Sequence, residues 1–300
     1  IIKKNNLNSI VIDIKDYSGY LAYDMPIKEA KKSGALNEIK IKSINDLIEK
    51  LHKENIYTIA RVTVFQDPVF AKAYPQYAIK NKLTANIWTD NKGLAWIDPA
   101  SKDYWNYIIK ISRDISSRGF DEINFDYIRF PSDGDLKNVS YPFWDEVTPR
   151  REIIKEFFSY LRKELSDIKI SADVFGLTTI VSGSDLGIGQ IIEDAYLNFD
   201  VVCPMIYPSH FTTGYFGYKN PADYPYEVIR SSLEEALKKI QNTTSSKALI
   251  RPWLQVFDLG SRYDNKKIQD QIKATEEVLF NTNYYGGYLF WDPKNNYLDL

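Results

Sequence analysis

The chain has 300 residues, 44% of them hydrophobic, enough to bury one large core or two modest ones. Its net charge of −2 and pI near 5.9, with acids and bases interspersed, exclude a basic face for nucleic acid and leave a solvated surface of mixed sign. No stretch is apolar enough to span a membrane; the single cysteine, Cys203, excludes an intrachain disulfide, and with only two histidines no histidine-based metal site and no cofactor is expected.

In chain order, Ile1 to Asn8 reads as the tail of a helix and Ser9 to Lys15 as a strand. Ile10, Ile12 and Ile14 take one face of that strand; Val11, Asp13 and Lys15 take the other. Residues 16 to 40 form a long connection, and Ser43 to Asn55 a helix with Ser43 as its N-cap. In the strand Tyr57 to Phe65, the pattern turns Ala60, Val62 and Val64 toward helices and Arg61, Thr63 and Phe65 to the opposite side. The loop from Gln66 to about Ala100 carries Trp88, Trp96 and Asp98-Pro99. It is too long for a bare connector and too aromatic for disorder.

Ser101 to Arg118 is a helix that ends at Gly119 and leads into the stretch GFDEINFDYIRFP, Gly119 to Pro131. From Ile123 to Ile128 the residues alternate, with Ile123, Phe125 and Tyr127 on one face and Asn124 and Asp126 on the other. A strand buried on both faces reads as a continuous apolar run, so an amide and a carboxylate in phase, followed by Arg129, mark a face that lines a site. The structural alternative is an ion pair between Asp126 and Arg129.

Pro149 to Ser166 is the next helix and Lys169 to Gly176 the next strand, with Ser171, Asp173 and Phe175 in phase. Asp185 to Asn198 is helical, and Asp200 to Tyr207 is a strand leading to Pro208-Ser209-His210; its Cys203 reads as an inert buried thiol. An aromatic loop, Phe211 to Tyr226, precedes the helix Tyr226 to Gln241. Ala248 to Gln255 is a strand with Arg251, Trp253 and Gln255 in phase, Tyr263 to Asn281 holds the last long helix, and Gly286 to Trp291 is the last strand. Strand followed by helix, repeated without a linker, predicts one α/β domain over residues 1–300 with a parallel sheet under helical cover. About seven strands suit a (β/α)8 TIM-type barrel whose first strand is missing from this chain. A doubly wound open sheet fits less well, because no glycine-rich phosphate turn follows any strand.

Seven segments, in order, resemble the bacterial "putative glycosyl hydrolase domain" family. They are GFDEINFDYIRFP, ISADVFG at Ile170 to Gly176, IGQIIED at Ile188 to Asp194, PMIYPSH at Pro204 to His210, NPADYPYEVI at Asn220 to Ile229, RPWLQVF at Arg251 to Phe257, and the closing GGYLFWD. That family is similar to alpha-amylase-type and other glycoside hydrolase barrels. The resemblance implies a carbohydrate substrate and an extracellular or cell-surface location. If the missing strand is the first, Asp126 lies on the fourth strand and Asp173 on the fifth, the strand ends that carry nucleophile and acid/base in amylase-type barrels. Chitinase-type barrels end a D-x-x-D-x-D-x-E run on a glutamic acid; aligned on Asp121, this chain has Ile128 there, so that acid is absent. Met205, Tyr207 and Trp291 are similar to the residues that shape chitinase-type pockets.

Glycoside hydrolysis needs one ionised and one protonated carboxyl about an oxocarbenium-like transition state, and Asp126 and Asp173 are the candidates. Arg129, Arg61 or Arg251 would keep Asp126 ionised, while the apolar neighbours of Asp173 favour its acid form; pairing of Asp173 with Lys15 or Arg251 is the structural alternative. Asp13, with Lys15 in phase, reads equally as a third carboxylate of the site or as half of an ion pair. Asn124, Tyr207, His210 and Arg251 are candidate hydroxyl contacts. Trp253, Trp291 and Trp96 are candidate stacking surfaces for a sugar face. Short side chains on neighbouring parallel strands, about 4.8 Å apart, favour the close carboxyl pair of a retaining enzyme, roughly 5–5.5 Å. The alternative function is a barrel that binds a glycan without cleaving it.

Overall fold

The computed structural model describes residues 2–297 and resolves into two compact units whose boundary falls inside one strand. The first unit comprises Asn8–Ser171 and Asp185–Gln190; the second joins the N-terminal segment up to Leu7 to Ala172–Ser184 and to the chain from Ile191 onward.

In the first unit, β1 (Ser9–Lys15) leads through α1 (Lys28–Ser33) and α2 (Ile44–Lys53) to β2 (Tyr57–Thr63). Then come α3 (Pro68–Ala73), the two-residue β3 (Lys80–Asn81), α4 (Lys102–Ser117) and β4 (Glu122–Asp126). The short β5 (Val139–Ser140) pairs antiparallel with β3, and α5 (Arg150–Glu164) feeds the start of β6 (Ile170–Phe175). Strands β1, β2 and β4 are parallel neighbours, with Asp13 opposite Arg61, Arg61 opposite Asn124, and Thr63 opposite Asp126. The backbone N–H of Ile123 donates to Lys169 O just before β6 (3.0 Å).

The second unit continues β6 and adds α6 (Ile192–Asn198), β7 (Val201–Met205), α7 (Pro225–Asn242), β8 (Leu249–Ile250), β9 (Trp253–Gln255), α8 (Asn265–Leu279) and β10 (Leu289–Trp291). Its strands run β6-β7-β9-β10, with β8 beside β7. Gly176 closes β6 where only glycine fits, since a Cβ there would come 2.5 Å from Met205 O. Among the described residues the strands of each unit follow one another in chain order, β1-β2-β4 in the first and β6-β7-β9-β10 in the second. The fold is the α/β class with sequential parallel βα repeats.

Helix α4 shows how the sequence builds these repeats. Ser101 caps its first turn by accepting from Tyr104 N (3.4 Å), and Tyr104, Trp105, Ile108, Ile111 and Ile115 bury one stripe. It ends before Gly119, whose φ of +93° suits the left-handed turn after a helix.

Several expectations need correction. Ser43 stands at the N-cap of α2 but makes no side-chain cap bond. The strand expected from Tyr57 to Phe65 ends at Thr63, and Phe65 packs on Phe157 of α5 (4.9 Å between ring centroids), facing a helix rather than the polar side. The loop from Gln66 to Ala100 is built structure, containing α3, β3 and bridges such as Gln66 to Trp96 and Ala78 to Ile97. Of Asp185 to Asn198, only Ile192–Asn198 is helix. The preceding residues lie against α5, with Gly189 at φ +83° and so close that a Cβ would come 2.8 Å from Arg150 O. The strand expected over Ala248 to Gln255 breaks into β8 and β9 at Arg251-Pro252, because proline has no N–H for the ladder.

Candidate functional site

At the C-terminal ends of β1, β2 and β4, one guanidinium joins two carboxylates. Arg61 donates from Nη1 to Asp13 Oδ1 (2.7 Å) and from Nη2 to Asp126 Oδ2. Asp126 is 5% exposed, and its other oxygen accepts from the Tyr127 backbone N–H at 2.6 Å. Asp13 is the solvent side of the cluster, with its side chain 45% exposed. The parallel register assembles this group: Arg61 is opposite Asp13 on one side and Asn124 on the other, two residues before Asp126.

Tyr127, next to Asp126, has φ +53°, a conformation uncommon for a bulky residue and concentrated at functional turns. Its carbonyl accepts from Phe65 N and the Asp126 carbonyl from Val64 N, so the strained turn is held from β2's side. Arg129 is buried, donates to Phe130 O and Ser132 Oγ (3.0 and 3.2 Å), and lies over the rings of Trp96 and Tyr127. Burial depresses the pKa of Arg129 and raises that of the Tyr127 phenol, the latter reinforced by the charge of Asp126. The geometric partner of Asp126 is thus Arg61, while Arg129 forms the cationic layer of an aromatic stack.

Lys15 does not pair with Asp13. A register irregularity between Asp13 and Lys15 breaks the two-residue phase. Lys15 is fully buried, donating to Thr63 O (2.7 Å) and pairing with Asp67 at 3.0 Å. Asp67 also accepts from Tyr104 Oη and caps α3 through Phe70 N. Lys15 is therefore an internal brace and not a substrate contact. Asn124, 1% exposed, donates to Ser171 Oγ across the ladder and likewise sits inside the sheet. Trp96 is equally internal, its indole N–H given to Asp90.

In the second unit, Asp173 is 1% exposed and its Oδ1 accepts from Trp253 Nε1 at 2.7 Å. The indole ring meets Trp291 edge-on, 5.9 Å between centroids at 85°. A buried tryptophan needs a partner for its N–H, and here that partner is one oxygen of Asp173. Trp253 is consequently a buried donor to this carboxyl with an edge-to-face neighbour, not an open stacking platform. Arg251, at the break between β8 and β9, donates from Nε to Gly286 O (2.8 Å). Tyr207 packs edge-on to His210 (5.2 Å) and to Phe257 (5.7 Å), and burial lowers the His210 pKa.

Asp90 went unread in the sequence although it organises the long aromatic segment. Its Oδ2 accepts from Gln66 Nε2 and Trp96 Nε1 (2.7 and 3.0 Å), its Oδ1 from the backbone of Lys92 and Leu94. The available signal was the Asp-Asn-Lys-Gly turn that begins at Asp90.

Parallel βα repeats with charged residues gathered at strand C-termini are the pattern of (β/α)-barrel enzymes. The chain belongs to the family described as "Putative glycosyl hydrolase domain", whose pattern it matches over residues 1–297. A hypothetical protein from Ruminiclostridium thermocellum ATCC 27405 is 38% identical, with 58% of this chain and 86% of that one covered at a TM-score of 0.52. The PgaB (BpsB) glycoside hydrolase domain from Bordetella bronchiseptica is 13% identical, covering 95% of this chain and 84% of that one at a TM-score of 0.63. An exo-β-N-acetylglucosaminidase from Vibrio harveyi, in complex with N-acetylglucosamine, is 11% identical, covering 97% of this chain and 46% of that one at a TM-score of 0.56. No curated protein matches the chain. Among the described residues, no helix is long and apolar enough to cross a membrane.

Proposed function

We propose that this chain is a glycoside hydrolase that cleaves a polysaccharide at or outside the bacterial cell surface, with Asp126 as nucleophile and Asp173 as general acid/base. The observation that carries the reading is Asp126 itself: a carboxylate 5% exposed at the end of β4, with N–H donors on both oxygens and a strained residue immediately after it. Such a group is paired with a guanidinium and fixed in orientation, which is what attack on an anomeric carbon requires. In the proposed cycle an Asp126 oxygen bonds to the anomeric carbon as the glycosidic C–O bond breaks. Asp173 gives a proton to the leaving oxygen, then takes one from the water that releases the sugar, so the anomeric configuration is retained. Membership of a glycosyl hydrolase domain family supports the reaction class. Likeness to the PgaB glycoside hydrolase domain and to the N-acetylglucosamine complex supports a carbohydrate substrate; that it is a polymer belongs to the proposal.

The test is a panel of bacterial exopolysaccharides and cell-wall glycans with product analysis. Asp126→Asn removes the charge without changing the shape, and turnover should fall to background with the fold intact. Proton NMR of the first product should show retained configuration. An Asp126→Asn protein with undiminished turnover, or an inverted product, overturns the assignment. Binding without cleavage by the wild-type chain would instead support a glycan-binding barrel.

A further inference from the structure

A cavity of about 480 Å³ opens among α1, α3, α4 and α5, and no residue of a strand lines it. It is therefore distinct from the cluster that Asp13, Arg61 and Asp126 form at the strand ends. Its floor is Phe70 and Tyr107, stacked at 4.8 Å. From Phe70 a row of rings leads outward, through Tyr74 at 4.6 Å and Tyr77 at 6.0 Å to Phe143, which lies nearly parallel to Tyr77 at 5.7 Å and is 47% exposed. Polar groups flank the row. The Tyr77 hydroxyl donates to Asp103, the Tyr160 hydroxyl to Asn106, and Lys110 pairs with Glu29.

We infer that this face is a second glycan-binding site, one that holds a neutral polysaccharide strand on the Tyr74–Tyr77–Phe143 row. The half-exposed Phe143 and the partly exposed Tyr74 and Tyr77 offer flat apolar surface that water solvates poorly, and the C–H face of a pyranose can cover it. The flanking carboxylates and the Asn106 amide are acceptors and donors of the kind that sugar hydroxyls engage. The charge balance narrows the ligand. Glu29, Asp103 and Glu164 set three negative charges against the single positive charge of Lys110, which disfavours uronates and phosphorylated glycans. A peptide is the less fitting occupant, because the lining comes from helices and the turn after α3 and offers no sheet edge for backbone pairing. The inference shares with the proposed activity only a glycan as ligand and does not depend on Asp126 or Asp173 being catalytic.

Native electrophoresis through gels holding hydroxyethyl cellulose, glycol chitin or polygalacturonate tests it. Wild-type protein and Asp126→Asn should be retarded equally by a neutral polymer and not by polygalacturonate. Tyr74→Ala/Tyr77→Ala should bind the retarding polymer about tenfold more weakly or worse. Phe143→Ala, a change at an exposed ring that leaves the backbone alone, should weaken it about threefold, with melting temperature unchanged. Absence of retardation by either neutral polymer overturns the inference. So does retardation that survives both ring variants, or that disappears with Asp126→Asn. Preference for polygalacturonate overturns the charge argument and the inference with it.

Discussion

The two units hold their buried aspartates by different means. Asp126 sits in a charge network in which Arg61 reaches it and also Asp13, whereas the described hold on Asp173 is a neutral indole N–H backed by an edge-to-face ring. An ion network inside a protein is strong only while complete, since loss of one member strands a desolvated charge on the other. Loss of a neutral donor leaves one buried carboxyl oxygen short of a partner, at a cost of about 1–3 kcal/mol, without stranding an opposite charge. The same carboxyl side chain thus meets a guanidinium in one place and an indole N–H in the other, and the variants below test whether that difference matters to the proposed roles.

The sharpest way to break this contrast is Arg61→Met, which keeps most of the side-chain volume and removes the cation. Asp126, 5% exposed, would be left with one donor and no counter-charge from β2. Unfolding free energy from urea titration should fall by about 3–5 kcal/mol, and turnover should be lost. Arg61→Lys, which cannot span both carboxylates in a planar fork, should recover part of the stability and little of the activity. A variant as stable as wild type would show that the charge network does not support the fold.

Trp253→Phe probes the other unit. It keeps a ring against Trp291 but deletes the donor to Asp173, and a hydrogen bond to a carboxylate contributes about 1.5–3 kcal/mol. The loss should be smaller than that of Arg61→Met. On the proposed mechanism, turnover of substrates with poor leaving groups should fall more than that of activated ones, because the displaced carboxyl donates its proton less well. An equal fall for both classes would count against Asp173 as the acid.

A third variant pair isolates the backbone beside Asp126. Both Tyr127→Gly and Tyr127→Ala delete the ring that packs on Trp96 and Arg129, so the difference between them reads the left-handed φ alone. A Cβ in that conformation costs about 1–2 kcal/mol, while glycine's extra unfolded-state entropy costs about 0.4–1 kcal/mol. The glycine variant should therefore be the more stable by up to about 1 kcal/mol, the reverse of the usual order, as thermal or urea unfolding would show. If alanine is the more stable, the turn at Tyr127 is not strained.

Much of this was legible in the sequence because period and punctuation are local. The polar face of the strand ending at Asp126, the helix from Ser101 that ends at Gly119, and the βα alternation all follow from spacing within about twenty residues. Partners were not legible, because register sets them. Arg61 reaches Asp126 from 65 positions away and Trp253 reaches Asp173 from 80. Lys15 was misassigned because an irregularity in β1 shifts its phase, and no composition signal marks it. The break at Arg251-Pro252, by contrast, could have been read from the missing proline N–H.

The smallest expected effect is at His210, whose ring lies against Tyr207 and Phe257 while part of it still faces solvent. Burial lowers its pKa below the usual 6.5, so between the two values the unfolded chain binds a proton that the folded protein does not. The sign follows by linkage. The stabilising contribution is complete above the unfolded value and is lost progressively as pH falls through it, and solvent screening at this exposed position keeps it small. Urea midpoints measured at about pH 7.5 and about pH 5.5 should therefore drop slightly more for wild type than for His210→Gln, which has no proton to take up. Equal drops would mean that the aromatic pair does not desolvate the imidazole. A larger drop for His210→Gln would mean that the protonated form is the one the fold prefers, as if a carboxylate rather than the two rings governed it.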